Sequence, residues 1–256
     1  MALKTELSNG VLTLTLNRPD VLNSINKETA LALQKSLDEA AVDHQIRAIL
    51  LTGEGRGFCA GQDLAEATDP QAKIDTFVRE HYNPVVQKIR QLEKPVIAAV
   101  NGVAAGAGAN LAFCCDIVFA SKSSTFIQSF VNIGLIPDSG GTYFLPRIIG
   151  LQKATALMFT GEKIHAEEAE RLGLIYKVCD DSDLMQEAGK LALKLAQMPT
   201  AGIGYTKRLL NASASNNLKQ QLDMEEEMQL LAGNTYDYAE GVRAFLEKRK
   251  PVFKGE

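Results

Sequence analysis

The sequence predicts an α/β fold. Short strand-like runs alternate with helical stretches over residues 1 to about 140. From Thr142 onward only helical spacing continues, and no Gly-, Ser- or Pro-rich linker separates the two parts. The expected organisation is therefore one structural domain, with a core over 1–195 and a helical tail over 196–256.

Each element has a local cause. Val11 to Leu16 alternates with period two, as a half-buried strand does. Asn26 can cap a helix running to about His44, with Ala30, Leu33, Leu37 and Ala40 on one face. Ala48 to Thr52 is a short apolar run ended by Gly53, the pattern of a buried strand. A glycine-rich loop follows over 53–57. A second helix is expected over Gln71 to Leu92, and further strands over Pro95 to Val100 and Ile117 to Ala120. From Thr142 onward, helical spacing covers Leu151 to Phe159, Ala166 to Leu172, Leu184 to Gln197, Gly202 to Asn211, Leu218 to Leu231 and Tyr236 to Lys248, punctuated by Pro199 and Gly233.

Composition excludes several classes. The 256 residues carry 27 Lys plus Arg against 31 Asp plus Glu, a net charge of −4, and 46% are hydrophobic. Such a chain is neither disordered nor equipped with a broad basic face for nucleic acid. No apolar run reaches the roughly 18 residues a membrane span needs. The longest, Pro95 to Cys115, is interrupted by Asn101, Gly102, Gly106, Gly108 and Asn110. Residues Met1 to Glu6 lack an apolar signal core, so secretion is not expected. Cys59, Cys114, Cys115 and Cys179 form no CxxC pattern and read as buried thiols of a cytoplasmic protein. His44, His81 and His165 lie far apart, so no metal site is expected.

Three segments carry possible chemistry. In Phe58-Cys59-Ala60-Gly61-Gln62-Asp63-Leu64, Gly61 permits a sharp bend that can turn backbone N–H groups into a pocket. In 100–110, a strand gives way to small residues that lead into a helix, whose first N–H groups can stabilise an anion. Those small residues equally suit close packing. In Gly134-Leu135-Ile136-Pro137-Asp138-Ser139-Gly140-Gly141-Thr142, a carboxylate sits in an apolar, glycine-rich turn. Burial would raise Asp138 toward general-base strength. Taken alone, the segment favours Asp138 as the cap of a helix starting near Gly140.

The order and spacing of these segments resemble the crotonase (enoyl-CoA hydratase/isomerase) superfamily. The resemblance runs through Asn17-Arg18-Pro19 with Leu22-Asn23, Phe58 to Leu64, Lys94 to Gly102, Cys115-Asp116-Ile117, Gly140-Gly141-Thr142, Gly161 with Ala169 and Gly173-Leu174, and Phe245 to Arg249. It implies a spiral of ββα units with a C-terminal helical trimerisation region, hence a homotrimer or homohexamer. It implies an acyl-CoA thioester as substrate, with coenzyme A carried by the substrate and no separate cofactor. The family's two oxyanion N–H donors map to Gln62 and Ala107, the second usually glycine. Val21, Asn23, Ala60, Gln62, Asp63 and Leu64 map to the coenzyme A site, and Lys248, from a neighbouring subunit, to a coenzyme A phosphate.

The hydratases of that family use two glutamates, and here those positions read Asn110 and Phe130. Neither can act as a general base, which disfavours the two-glutamate route and leaves Asp138 as the acid–base candidate. Within the family, residues 134–146 and 102–109 look most like members that isomerise a ring-epoxidised phenylacetyl thioester. The expectation is an isomerase that moves a proton through a thioester enolate, with 3-enoyl thioesters as a further substrate class. An enoyl-CoA hydratase and a catalytically silent acyl-CoA-binding subunit are the alternatives. Asn110, Phe130 and Tyr143 are expected in the acyl pocket. Tyr82 and Phe77 are further aromatic candidates, although such residues are more often plain core. The loop from Glu66 to Lys73 is a candidate for closing over the substrate.

Overall fold

Strand residues here bury both faces, and the two faces feed two different cores. In Val96–Val100, Val96, Ala98 and Val100 join one cluster while Ile97 and Ala99 join the other. Ala48–Gly53 divides the same way, with Ile49 and Leu51 against Ala48 and Leu50. This is the period of two that places successive side chains on opposite sides of a sheet. The computed structural model describes residues 1–70 and 73–256.

Among the described residues the strands are β1 (Leu3–Ser8), β2 (Val11–Leu16), β3 (Ala48–Gly53), β4 (Gly57–Cys59), β5 (Val96–Val100), β6 (Val103–Ala105), β7 (Ile117–Ser121), β8 (Thr125–Ile127), β9 (Lys163–His165) and β10 (Lys177–Cys179). They form a six-stranded sheet ordered β1-β2-β3-β5-β7-β10 and a four-stranded sheet ordered β4-β6-β8-β9. Only β1–β2 and β8–β9 pair antiparallel. Consecutive strands β3–β4, β5–β6 and β7–β8 each place one member in either sheet before the chain turns helical. That is a spiral of ββα units, as the family resemblance implied.

The short second sheet and β1 were not among the sequence expectations. β4, β6, β8 and β9 are three residues each, too short to show a period. β1 follows from Asn9-Gly10, whose φ values of 50° and 80° make the tight left-handed turn that pairs Ser8 with Val11.

The expected helices form, with ends shifted by a few residues. Asn26 caps Lys27–Val42 by accepting the Thr29 N–H at 2.9 Å. Leu184, Ala188, Ala192 and Ala196, four apart, lay helix Leu184–Ala196 on the outer face of the large sheet. The helix expected over Gln71 to Leu92 differs: Gln71 lies outside the described residues, and the remainder is not one regular helix. A turn at Ile74–Thr76 leads to a π-helical turn at Phe77–Tyr82 and then to helix Asn83–Gln91. The cause is Pro84, which has no N–H to give to the Glu80 carbonyl four residues back. Asn83 N–H bonds Val78 O instead, five residues back, and Gln34 Nε2 reaches over to Glu80 O at 2.8 Å. No helix among the described residues is long and apolar enough to cross a membrane.

Candidate active site

Two backbone turns meet where the sheets end. After β4 the chain bends at Gly61 with φ +92°, and a Cβ there would stand 2.8 Å from Ala105 O. Ile25 N–H donates to Gly61 O at 2.7 Å and Asp63 N–H to Ile25 O at 3.0 Å. These two bonds fix the chain on either side of Gln62, whose own N–H has no acceptor among the described residues. The second turn is at Gly106, φ +53°, which opens helix Ala107–Phe113. The Ala107 N–H likewise has no acceptor among the described residues. An added Cβ at Gly108 would lie 2.2 Å from Cys59 O, so only glycine lets this helix end press against the Gly61 turn. The alanine at 107 keeps the N–H donor.

The third turn carries Asp138. Helix Gly141–Ile149 starts just beyond it, but the N-cap is Gly140 and no side chain caps the helix. The capping role that the segment alone favoured is therefore corrected. The Asp138 carbonyl, not its carboxylate, meets the helix, accepting Gly141 N–H at 2.9 Å. The carboxylate receives the Ser139 hydroxyl at 2.9 Å and makes no ion pair with Lys, Arg or His among the described residues. Burial pushes the Asp138 carboxyl up from the usual carboxylate range, and the Ser139 hydrogen bond only partly opposes this. Ser139 is itself held at φ +50°, a conformation a non-glycine residue rarely adopts.

Asn110 holds this turn in place. Its side chain is fully buried, donates from Nδ2 to Asp138 O at 2.8 Å and accepts Gln128 Nε2 at 2.9 Å. Gly141 lies against it so closely that a Cβ would meet Nδ2 at 2.4 Å. Asn110 was expected in the acyl pocket, but it acts as a strap behind Asp138. Phe130 is buried and packs its ring on Gly106. Tyr143 is corrected more plainly. Arg147 lies over its ring and Phe144 meets it edge-on, and it lines a cleft of about 590 Å³ with Arg90, Lys207 and Met224, not the cavity that Ala107 and Ser139 share.

A small cavity of about 10 Å³ beside these turns is lined by Ala107, Ser139, Tyr82, His81, Leu111 and Leu33, with Ile25, Val85 and Val86; Gln62 and Asp138 are neighbours of lining residues in the chain but do not themselves line it. Tyr82 and His81 arrive there through the π-helical turn, a break that Pro84 could have signalled in the sequence. Phe77 lies near His81, ring centroids 5.7 Å apart, and belongs to the main core.

The residues expected at coenzyme A divide in two. Val21 and Leu64 are exposed and Ala60 half-buried. Asn23 and Asp63 are buried and committed to scaffolding. The Asn23 amide donates to Glu54 O and Gly57 O and accepts the Arg18 N–H. Asp63 pairs with Arg18 at 2.5 Å and accepts the Ala65 N–H at 2.9 Å. Burial would raise the Asp63 carboxyl, but these two partners outweigh it and hold it below the usual range. Lys248 is exposed, just past helix Tyr236–Leu246. The loop over Glu66 to Lys73 includes 71 and 72, outside the described residues; its first part is a short helix, Leu64–Ala67.

All four cysteines are free and buried, and burial pushes the Cys59 thiol up to about 12. No cluster of three His, Cys, Asp or Glu side chains suited to a metal occurs among the described residues.

The spiral of ββα units thus carries the Gln62 and Ala107 amides, both without an acceptor among the described residues, and a half-buried Asp138 carboxylate with no cation beside it among those residues. Residues 6–256 match the enoyl-CoA hydratase/isomerase family, and the chain belongs to that crotonase family. It is 48% identical over 256 residues to 1,2-epoxyphenylacetyl-CoA isomerase of Escherichia coli K12, covering 98% of each chain. It is 37% identical to trans-2-decenoyl-[acyl-carrier-protein] isomerase of Streptococcus mutans, covering 98% of this chain and 97% of that one. Among solved structures, an enoyl-CoA hydratase from Bacillus anthracis superimposes with a TM-score of 0.94 at 32% identity, covering 100% of both chains.

Proposed function

We propose that this chain is an acyl-CoA isomerase with Asp138 as its single acid–base group. The observation that carries the reading is the Asp138 carboxylate: half-buried, raised in pKa by desolvation, not capping a helix and, among the described residues, not paired with a cation. The carboxylate takes a proton from the carbon next to the thioester carbonyl. The C–H electron pair becomes the enolate double bond, and the negative charge settles on the thioester oxygen. Gln62 and Ala107 N–H groups hold that oxygen, and one such donor is worth about 10²–10³ in rate. The proton then returns farther along the conjugated system, so substrate and product contain the same atoms and no cofactor is required.

The acyl group favoured is ring-1,2-epoxyphenylacetyl: the carbon–carbon bond shared by the epoxide and the six-membered ring opens electrocyclically, and the proton shift fixes the seven-membered oxepin thioester, a step of phenylacetate degradation. Support comes from residues 134–146 and from the Escherichia coli relative that bears that activity in its name. Double-bond shift in a 3-enoyl thioester follows from the same chemistry. Hydratase-named relatives, such as the short-chain-enoyl-CoA hydratase of Clostridium acetobutylicum at 35% identity, keep water addition as a second reading. Against it stands Asn110, whose buried amide is committed at both ends and transfers no proton.

The exposed Val21 and Leu64 and the half-buried Ala60 are our candidates for coenzyme A contacts, with Lys248 of a neighbouring subunit reaching a phosphate. Exposed Leu218, Leu222, Leu230, Phe245 and Leu246 on the last two helices support assembly into a homotrimer or homohexamer. The deciding experiment replaces Asp138 by Asn and assays the ring epoxide and a 3-enoyl thioester. Turnover of both should fall about 10²–10⁴-fold. Activity within a few-fold of wild type removes Asp138 from the mechanism.

A further inference from the structure

Tyr82 has a property that its burial alone does not explain. Its residue surface is 4% exposed, and its hydroxyl has no hydrogen-bond partner among the described residues. A buried hydroxyl left without an acceptor is costly, roughly 1–3 kcal/mol, and a structural aromatic at this position would serve as well as phenylalanine. The chain nevertheless breaks a helix to bring this residue in: the π-helical turn ahead of Pro84 aligns Phe77 and Tyr82, five apart, on the buried side. Tyr82 lines the same cavity as Ala107 and Ser139. Ile25, Leu33, Val85 and Leu111, which share that lining, offer no side-chain acceptor, and neither the Ser139 hydroxyl nor the His81 imidazole in the same lining bonds the phenol. Asp138 lies close enough for its charge to act on the phenol, but its carboxylate takes its hydrogen bond from Ser139. Burial first, and then the Asp138 charge, push the phenol above its ordinary range, so it stays protonated and acts as a donor only.

We propose that the Tyr82 hydroxyl is a specificity-determining donor for an acceptor oxygen carried on the ring of the acyl group. This rests on, and deepens, the isomerase reading: the site selects oxygen-bearing cyclic acyl thioesters over hydrocarbon ones of the same shape. An acyl group with a ring oxygen satisfies the hydroxyl. One without it leaves the donor buried and unpaired, which is how sites built around a hydrogen bond reject analogues that lack it. The assignment adds a recognition element at the acyl end, distinct from the two amides at the thioester.

The test uses two ligands that carry no leaving group β to the thioester carbonyl and differ at one ring position, tetrahydropyran-3-ylacetyl-CoA and cyclohexylacetyl-CoA. Binding to the full-length wild type and to Tyr82→Phe is measured by calorimetry. Wild type should bind the ring ether about tenfold more tightly, and Tyr82→Phe should reduce that ratio to about one while binding the carbocycle at least as well as wild type. Because the hydroxyl has no partner among the described residues, the phenylalanine variant keeps every hydrogen bond among them and should fold. Equal affinities in wild type, or a preference that survives in Tyr82→Phe, would overturn the proposal. Neither ligand needs proton abstraction, so an Asp138→Asn variant that stays active would sink the isomerase reading while leaving this ratio as an independent result.

Discussion

Asp116 and Asp138 lie in the same α/β core, and their surroundings differ in every respect that matters for chemistry. Asp116 accepts Arg90 Nη1 at 2.9 Å, Lys207 Nζ at 2.7 Å and Val96 N–H at 2.8 Å. Two cations and an amide tie it between strand β5, helix Asn83–Gln91 and the first tail helix, Thr200–Ser213. Burial lowers the Lys207 ammonium, and the Asp116 charge opposes that loss. Asp138 has only neutral donors, the Ser139 hydroxyl and its own backbone N–H, and no cation among the described residues. The lesson is that a carboxylate saturated by charge partners holds structure together, whereas one that is desolvated and left uncompensated is held ready to take a proton.

The comparison breaks first if the two aspartates respond alike to substitution. Asp138→Asn should abolish most activity yet raise the melting temperature at neutral pH. The sign follows from its raised folded-state pKa: ionisation is penalised only in the folded protein, so the penalty appears as pH rises past the unfolded value near 3.9 and is complete above the folded value. The thermal gain of Asp138→Asn should therefore shrink as pH is lowered toward that of a free aspartate. For the same reason the acid limb of kcat/KM in wild type should lie above an ordinary aspartate pKa.

Asp116→Ala should do the reverse. It strands Arg90 and Lys207, which costs about 3 kcal/mol, the lower end for a broken buried pair because the Asp116 side chain is 18% exposed. Its readout is the urea midpoint, and a loss below about 1 kcal/mol would contradict the structural role. Asn110→Ala comes next. It leaves Gln128 Nε2 without its acceptor and frees the Asp138 turn, so stability should fall by about 1–3 kcal/mol. Turnover should fall with it, as the turn loses its strap; unchanged turnover would show that the strap does not position Asp138. The smallest effect belongs to the exposed pair Lys4–Glu54, 3.0 Å apart. Lys4→Ala should change stability by less than about 1 kcal/mol, and a larger shift in the same titration would mean that solvent exposure does not separate decorative from structural pairs here.

Much of this was legible in the sequence. The period-two strands, the Asn26 cap and the tail helices followed from local patterning and formed where that patterning put them. Family resemblance, rather than any single segment, drew attention to Asp138, because an aspartate before Gly140-Gly141 reads equally well as a cap. What decides between the roles is the direction in which the carboxylate turns and the absence of a nearby cation, both products of tertiary packing. Asn23, Asp63 and Asn110 were legible as site residues but not as scaffold, since polar side chains carry no mark of whether their partners are backbone or ligand. Tyr143 was misplaced because one aromatic in an amphipathic helix looks like another until the helix is docked. Two signals were present and unused: Asn9-Gly10 announces the first hairpin, and Pro84 announces the helix break that delivers Tyr82.

The most direct trial of Asp138 as the base is hydrogen exchange at the carbon beside the thioester. Phenylacetyl-CoA incubated with the enzyme in D₂O should gain deuterium at that carbon, followed by proton NMR, and Asp138→Asn should slow the exchange by about 10²-fold or more. A wild-type enzyme that exchanges nothing, or an asparagine variant that exchanges as fast, would contradict the account.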